Sequence, residues 1–383
     1  MRKTFAWKEL KEVLCRKARI GIPKRFATPI LIAAVAKASC FWWIQRSINS
    51  RPDLFSCSSW WGMFTFWDGG WYNLIAEYWY RNIPVIPVIP AQQTFAFFPG
   101  FPAMIRALGL LIGDFTISQI IIATIFGFAW IPLFQLAAEA YLDKQQALSS
   151  SVIASLFPTV FLFTSVGYSE GFFLTLVLAS WVLYLRKKFF LAALLGIGAS
   201  LTRPVGVVVV IPMILDSVLS RQVRRVFLLA SPVVAQVLWL FYGYVNTGEV
   251  FMVFEAQRYW LNRRFVSQYI LPALFQANPP FSFSLPFTEA FVGLVICLVA
   301  ISVLLIVKIF ELDWKLGVYS SLTFLIPVLF GNIFSYPRYL SFIFPVWLLF
   351  RVKRPWMLLL LAVTLGFCDL IAVYLFARWV FLG

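Results

Sequence analysis

A chain of 383 residues in which 61% are hydrophobic and only 13% charged cannot hide its apolar surface from water. Soluble folds carry about 45–50% apolar and about 25% charged residues, so this composition, with a mean hydropathy of +0.85, excludes a soluble enzyme and points to a bilayer as solvent. The net charge of +16 comes without a single His: the charges punctuate apolar runs, which makes them topology signals and not a nucleic-acid surface, and imidazole bases, Ser-His-Asp catalysis and His-ligated metals are excluded.

The first 26 residues carry nine Lys/Arg and no cleavage-site pattern, and are expected to lie as a cytoplasmic basic amphipathic segment on anionic lipid. The remainder, 27–383, is expected to be one transmembrane domain. A helical span needs about 20 mostly apolar residues. Apolar runs predict eleven, some of them short: 27–46, 117–139, 148–166, 170–185, 189–201, 205–219, 226–245, 288–308, 316–332, 339–350 and 356–376. With the N-terminus inside, the inner loops and N-terminus hold 21 basic residues, while the outer side holds ten, all Arg. That is the positive-inside pattern. Residues 95–112 are apolar enough to cross, but counting them would invert every later loop. With Pro99, Pro102 and Arg106 they are expected to lie in the outer interface. Ile83–Pro90 has prolines every third residue and is expected to form an extended polyproline spacer. Five cysteines without a CxxC pair give no metal or disulfide signal.

This parity gathers the unusual residues on one face: a large outer loop, 47–116, with interfacial helices; 166–171; 201–206; 246–287; and 334–340. Asp68 precedes Gly69-Gly70 and a helically spaced apolar pattern at Trp71, Leu74, Ile75, Tyr78 and Trp79. It fits two roles, an N-cap or a general base for an attacking hydroxyl. Glu170 opens a span after Tyr168-Ser169, as a dipole-favoured acid capped by Ser169 or as a functional carboxylate at membrane depth. Arg203 before Pro204, Arg338 after Tyr336-Pro337, and Arg258 in the fourth outer loop either snorkel to headgroups or clamp an anionic phosphate. Arg263 and Arg264 are less specific neighbours. Asp68 and Glu170 are the carboxylates that a divalent cation would use, although two carboxylates make a thin set.

Five segments resemble, in order over roughly 30–345, motifs of the GPI mannosyltransferase II (PIG-V-like) family. Trp67-Asp68-Gly69-Gly70-Trp71-Tyr72 with Ile75-Ala76 resembles its first-loop signature. Phe97-Phe98-Pro99-Gly100-Phe101-Pro102 resembles its FFPLYP segment. Tyr168-Ser169-Glu170, Thr202-Arg203-Pro204-Val205-Gly206 and Pro337-Arg338-Tyr339-Leu340 resemble its YSE, TRPxG and PRY elements. The His that relatives often carry after the Asp is replaced here by the stretch Gly70-Trp71-Tyr72.

The resemblance implies a GT-C-like bundle and an inverting transfer of a hexose, mannose in the family, from a polyprenyl- or dolichyl-phosphate donor. The acceptor would be a glycan or glycolipid on the outer or lumenal face. Asp68 would be the catalytic acid residue with Glu170 beside it, and Arg338, Arg203 and Arg258 the phosphate clamps. Trp67, Trp71, Tyr72, Phe97, Phe98, Phe101, Tyr168, Tyr336 and Tyr339 would line the substrate and lipid groove. The host membrane would be the plasma membrane of a prokaryote or the ER of a eukaryote. The competing class is a lipid or sugar transporter, for which Asp369 and Lys37 are the intramembrane charges. The absence of an internal repeat and the long, motif-bearing outer loops weigh against it.

Overall fold

The computed structural model describes residues 24–80, 91–250, 252–253, 256, 285–329 and 336–380. The basic segment before Lys24, the proline spacer and the loop bearing Arg258, Arg263 and Arg264 lie outside the described residues.

All regular structure among the described residues is helical. The α-helices run α1 (Lys24–Ser50), α2 (Asp68–Tyr78), α3 (Gly100–Ile112), α4 (Phe115–Ala138), α5 (Lys144–Ser155), α6 (Pro158–Phe163), α7 (Glu170–Leu185) and α8 (Phe189–Ser200). They continue as α9 (Ile211–Leu219), α10 (Val223–Leu229), α11 (Ser231–Thr247), α12 (Leu285–Leu312), α13 (Trp314–Leu329), α14 (Tyr336–Tyr339), α15 (Phe344–Trp347) and α16 (Pro355–Ala377). Short 3-10 turns occupy Pro52–Leu54, Trp60–Thr65, Ala91–Ala96, Pro204–Val210 and Leu340–Phe342.

Four helical stretches among the described residues are long and apolar enough to cross a membrane: Arg25–Ser50, Phe115–Ala138, Val223–Thr247 and Pro355–Ala377. This is consistent with a helical membrane protein. The predicted span 170–185 is α7 and 189–201 is α8, each short. Three predicted spans are broken. Residues 148–166 divide at Pro158 into α5 and α6, and 205–219 begin as a 3-10 turn. Residues 339–350 form no continuous helix: α14, a 3-10 turn and α15 follow one another as single turns. Pro345 lies at the start of α15, where its missing N–H costs no helical bond.

Local chemistry explains the boundaries. Asp114 caps α4 by accepting from the Ile117 N–H at 2.8 Å, and Asp143 caps α5 by accepting from the Gln146 N–H at 2.8 Å. α3 ends on Gly113 in the left-handed region, φ 83°. Helices α4 and α7 approach closely because both meet at glycine: a Cβ on Gly171 would lie 2.9 Å from the Gly127 nitrogen.

α1 and α4 run antiparallel. The Gln135 amide near the end of α4 donates to the Arg25 carbonyl at 3.2 Å, and Arg25 pairs with Glu139 at 3.5 Å. The connection 51–114 therefore leaves and returns at the same end of the α1–α4 pair. α3 packs across α2, and Arg106 donates to the Ala76 and Glu77 carbonyls at 2.7 and 2.8 Å, closing the C-terminal end of α2.

Candidate active site

Asp68 is the first residue of α2 and does not cap it. The N-cap position belongs to Trp67, which makes no side-chain cap bond and sits at φ 50°. A positive φ on a bulky residue is a strained conformation. The strain turns the chain sharply between the Trp60–Thr65 turn and α2. Gly69 is required beside it, because a Cβ there would lie 2.2 Å from the Phe64 carbonyl oxygen.

Glu170 likewise opens α7, but Ser169 in the cap position makes no side-chain cap bond. The Ser169 hydroxyl instead lies 2.9 Å from the Tyr72 hydroxyl and accepts from Arg203 Nε at 3.0 Å. Burial pushes the Tyr72 phenol up to about 12, so it stays a neutral hydroxyl that can donate or accept.

The acids and arginines form one network. Arg203 Nη2 donates to Glu170 Oε1 at 2.6 Å. Arg338 Nε donates to the same oxygen. Arg338 Nη1 donates to Asp68 Oδ2 at 2.7 Å. One guanidinium thus bridges two carboxylates that are 102 residues apart in sequence. Both arginines are backed by aromatic faces: Arg203 lies 4.5 Å from the Phe342 ring centroid, and Arg338 lies 4.6 Å from Tyr168 and 4.9 Å from Phe163. Exposure divides the four. The side chain of Glu170 is 0% exposed, Arg338 7% and Arg203 10%, while Asp68 retains 29%. Two negative and two positive charges offset each other, and Asp68 is the member open to a ligand.

The signal that sequence reasoning missed is Gln119. This amide lies within the apolar run of α4, is fully buried, and ties the two motif loops together. Its Nε2, with two N–H donors, lies within hydrogen-bond distance of three carbonyls, Phe64 at 3.1 Å, Gly69 at 2.8 Å and Gly167 at 2.8 Å, and shares its protons among them. Its Oε1 accepts from Asn73 at 3.0 Å. A buried amide in a lipid-depth helix is costly unless satisfied, and a Gln inside such a run was a readable cue. Gly167 allows the approach, since a Cβ there would meet the Phe64 oxygen at 1.9 Å. Gln119→Leu is expected to leave these carbonyls without their donor, at about 1–3 kcal/mol for each buried group so orphaned. A lowered melting temperature in detergent checks it, and an unchanged one removes the tie.

The predicted groove residues are distributed over packed clusters. Tyr72 meets Phe97 and Phe101 edge-on at 5.2 and 5.1 Å, Trp71 stacks on Phe97 at 6.2 Å, and Phe98 leans on Trp239 at 6.1 Å. Trp67 stacks on Trp379 at 5.0 Å, on the other side of the charged network. Tyr168 floors Arg338, and Tyr339 packs on Phe342 at 5.8 Å. The Tyr336 side chain and Arg258 lie outside the described residues. Among the described residues no three carboxylate or thiol side chains gather to hold a metal ion; a guanidinium occupies the place between Asp68 and Glu170.

The chain matches no protein-family model, and no curated protein matches it. The site therefore rests on its own geometry.

Proposed function

We propose that the chain is an inverting membrane glycosyltransferase that moves a hexose, mannose by the motif resemblance, from a polyprenyl- or dolichyl-phosphate donor to a glycan or glycolipid hydroxyl. The observation that carries this reading is the half-open Asp68 carboxylate held by Arg338 over an enclosed Glu170–Arg203 pair. In the proposed step the acceptor O–H gives its proton to Asp68 while its oxygen bonds the anomeric carbon. The bond from that carbon to the donor phosphate breaks, and the phosphate leaves with the electron pair. A lipid phosphate is a good leaving group and needs no general acid, only positive charge. Arg338 supplies it, with Arg203 behind.

Arg338 already binds Asp68, so the donor phosphate competes with that carboxylate for the guanidinium. Donor binding then frees Asp68 to act as base, which makes the order donor first, acceptor second. Steady-state inhibition by an unreactive acceptor analogue should be competitive against acceptor and uncompetitive against donor, because the analogue binds only after the donor. A random order would remove this coupling. Glu170 orients the two arginines, so we infer no requirement for a divalent ion, and full activity is expected in excess chelator.

The eleven-span topology, with the N-terminus cytoplasmic and the site on the outer or lumenal side, belongs to the same proposal. A transporter remains the second reading. The observation favouring it is Asp369, buried on α16 with neither carboxyl oxygen bonded among the described residues. Its counterpart Lys37 is committed to the backbone, donating to the carbonyls of Gly127 at 3.1 Å and Thr164 at 2.8 Å. That is the role of a fixed tie between α1, α4 and α6. Purified protein in nanodiscs with radiolabelled polyprenyl-phosphate hexose separates the two. Label transferred to an acceptor supports the enzyme; movement across liposomes with the donor bond intact supports the transporter.

A further inference from the structure

We propose a second, separate site: a cleft at the Ser50 end of α1 that binds the anionic phosphate headgroup of a lipid. The cleft is an open depression of about 400 Å³ between α1, the Pro52–Leu54 turn and the last turn of α16. This lies within the range of small-ligand sites, about 300–1,000 Å³. Its lining has two characters. Arg46, Ser50 and Arg51 form a polar, cationic rim, and Trp43, Phe55 and Tyr374 form an aromatic floor.

The charge is available. Arg51 is occupied by Asp53, donating to its two carboxyl oxygens at 3.1 and 3.0 Å. Arg46 has no acidic partner among the described residues and rests 5.4 Å from the Trp42 ring. A third guanidinium, Arg378, lies 5.6 Å from the Tyr374 ring. Two arginines against one aspartate leave the rim cationic, with Arg378 outside the lining beside it. Away from the cleft, α1 continues through exposed Val35 and Leu31, and α16 through exposed Phe367 and Val363. A soluble anion would have no use for that floor or those faces. A phosphate carrying a hydrocarbon chain satisfies both, with the headgroup on Arg46 and the chain along the helices.

The cleft is not the Asp68 network. None of its lining residues, Trp43, Arg46, Ser50, Arg51, Phe55 and Tyr374 among them, belongs to that network. The proposal therefore does not depend on the transfer reaction. Phosphatidylglycerol and polyprenyl phosphate share the chemistry and differ in source, and both belong in the test.

Full-length protein in mild detergent is offered phosphatidylglycerol, polyprenyl phosphate or phosphatidylcholine, and retained lipid is read by native mass spectrometry. The expected result is retention of one anionic lipid over phosphatidylcholine. Arg46→Gln should lower it about ten-fold, as for loss of one charge-assisted contact. Ser50→Trp, which fills the cleft without touching a charge, should lower it as well. Both positions are exposed, so both variants should keep the wild-type melting temperature. Retention of phosphatidylglycerol identifies a bilayer source; selective retention of polyprenyl phosphate identifies a substrate or product reservoir. Equal retention of phosphatidylcholine, no retention by the wild type, or wild-type retention in both variants overturns the site.

Discussion

Asp68→Asn is expected to abolish sugar transfer, by about 10²–10⁴-fold in kcat as for loss of a general base, while the protein inserts and folds. Among the described residues its carboxylate reaches only Arg338, at 2.7 Å. An asparagine carbonyl can accept the same bond. The enclosed half of the network, Glu170 with Arg203 and Arg338, keeps its two contacts. Because Asp68 is the most exposed of the four, replacing its charge strands nothing deep in the protein. The assay is transfer of labelled hexose by purified variant, with thermal melting as the folding control. Transfer at the wild-type rate with an unchanged melting curve would take Asp68 out of the chemistry. Asp68→Glu, which restores a carboxylate one methylene further out, should recover a measurable fraction, since the base function survives and only its position is lost.

Much of this arrangement was legible in the sequence because it rests on punctuation. Apolar runs located α1, α4, α7 and α16 within a few residues. The choice to lay 95–112 in the interface follows from counting lysines; the structure itself shows α3 packed on α2 through Arg106. The motif acids and arginines were legible as rare charged types in an apolar chain.

The internal wiring of the site was not legible. A cap and a general base at the head of a helix have the same sequence signature, so Asp68 fitted both roles. The strained φ of Trp67, which takes the N-cap position, removes the first. That Arg338 grips both acids depends on the break of 339–350 into single turns, whereas hydropathy there reads as one span. Gln119 had a clear signal, a satisfied amide at lipid depth, but no periodicity argument could say which loops it would join.

Glu170→Ala is expected to unfold the site before its chemistry can be measured. Its Oε1 is the shared acceptor of Arg203 and Arg338, and its side chain has 0% exposure. Removal leaves two enclosed guanidinium groups facing aromatic rings, Arg338 with only the half-open Asp68 carboxylate and Arg203 with no carboxylate among the described residues. Stripping one partner from a buried ion pair costs about 3–5 kcal/mol, because the charge left behind has lost its solvent and its counter-ion. That is comparable to much of the stability of an ordinary domain, about 5–15 kcal/mol. The measured outcome should be a large fall in folded yield and melting temperature in Glu170→Ala, against little change in Asp68→Asn. Arg203→Leu combined with Glu170→Leu should be less damaging than the two single changes summed, since the pair then vanishes together. A Glu170→Ala protein that melts like the wild type yet transfers no sugar would instead move Glu170 from holding the arginines to acting on substrate.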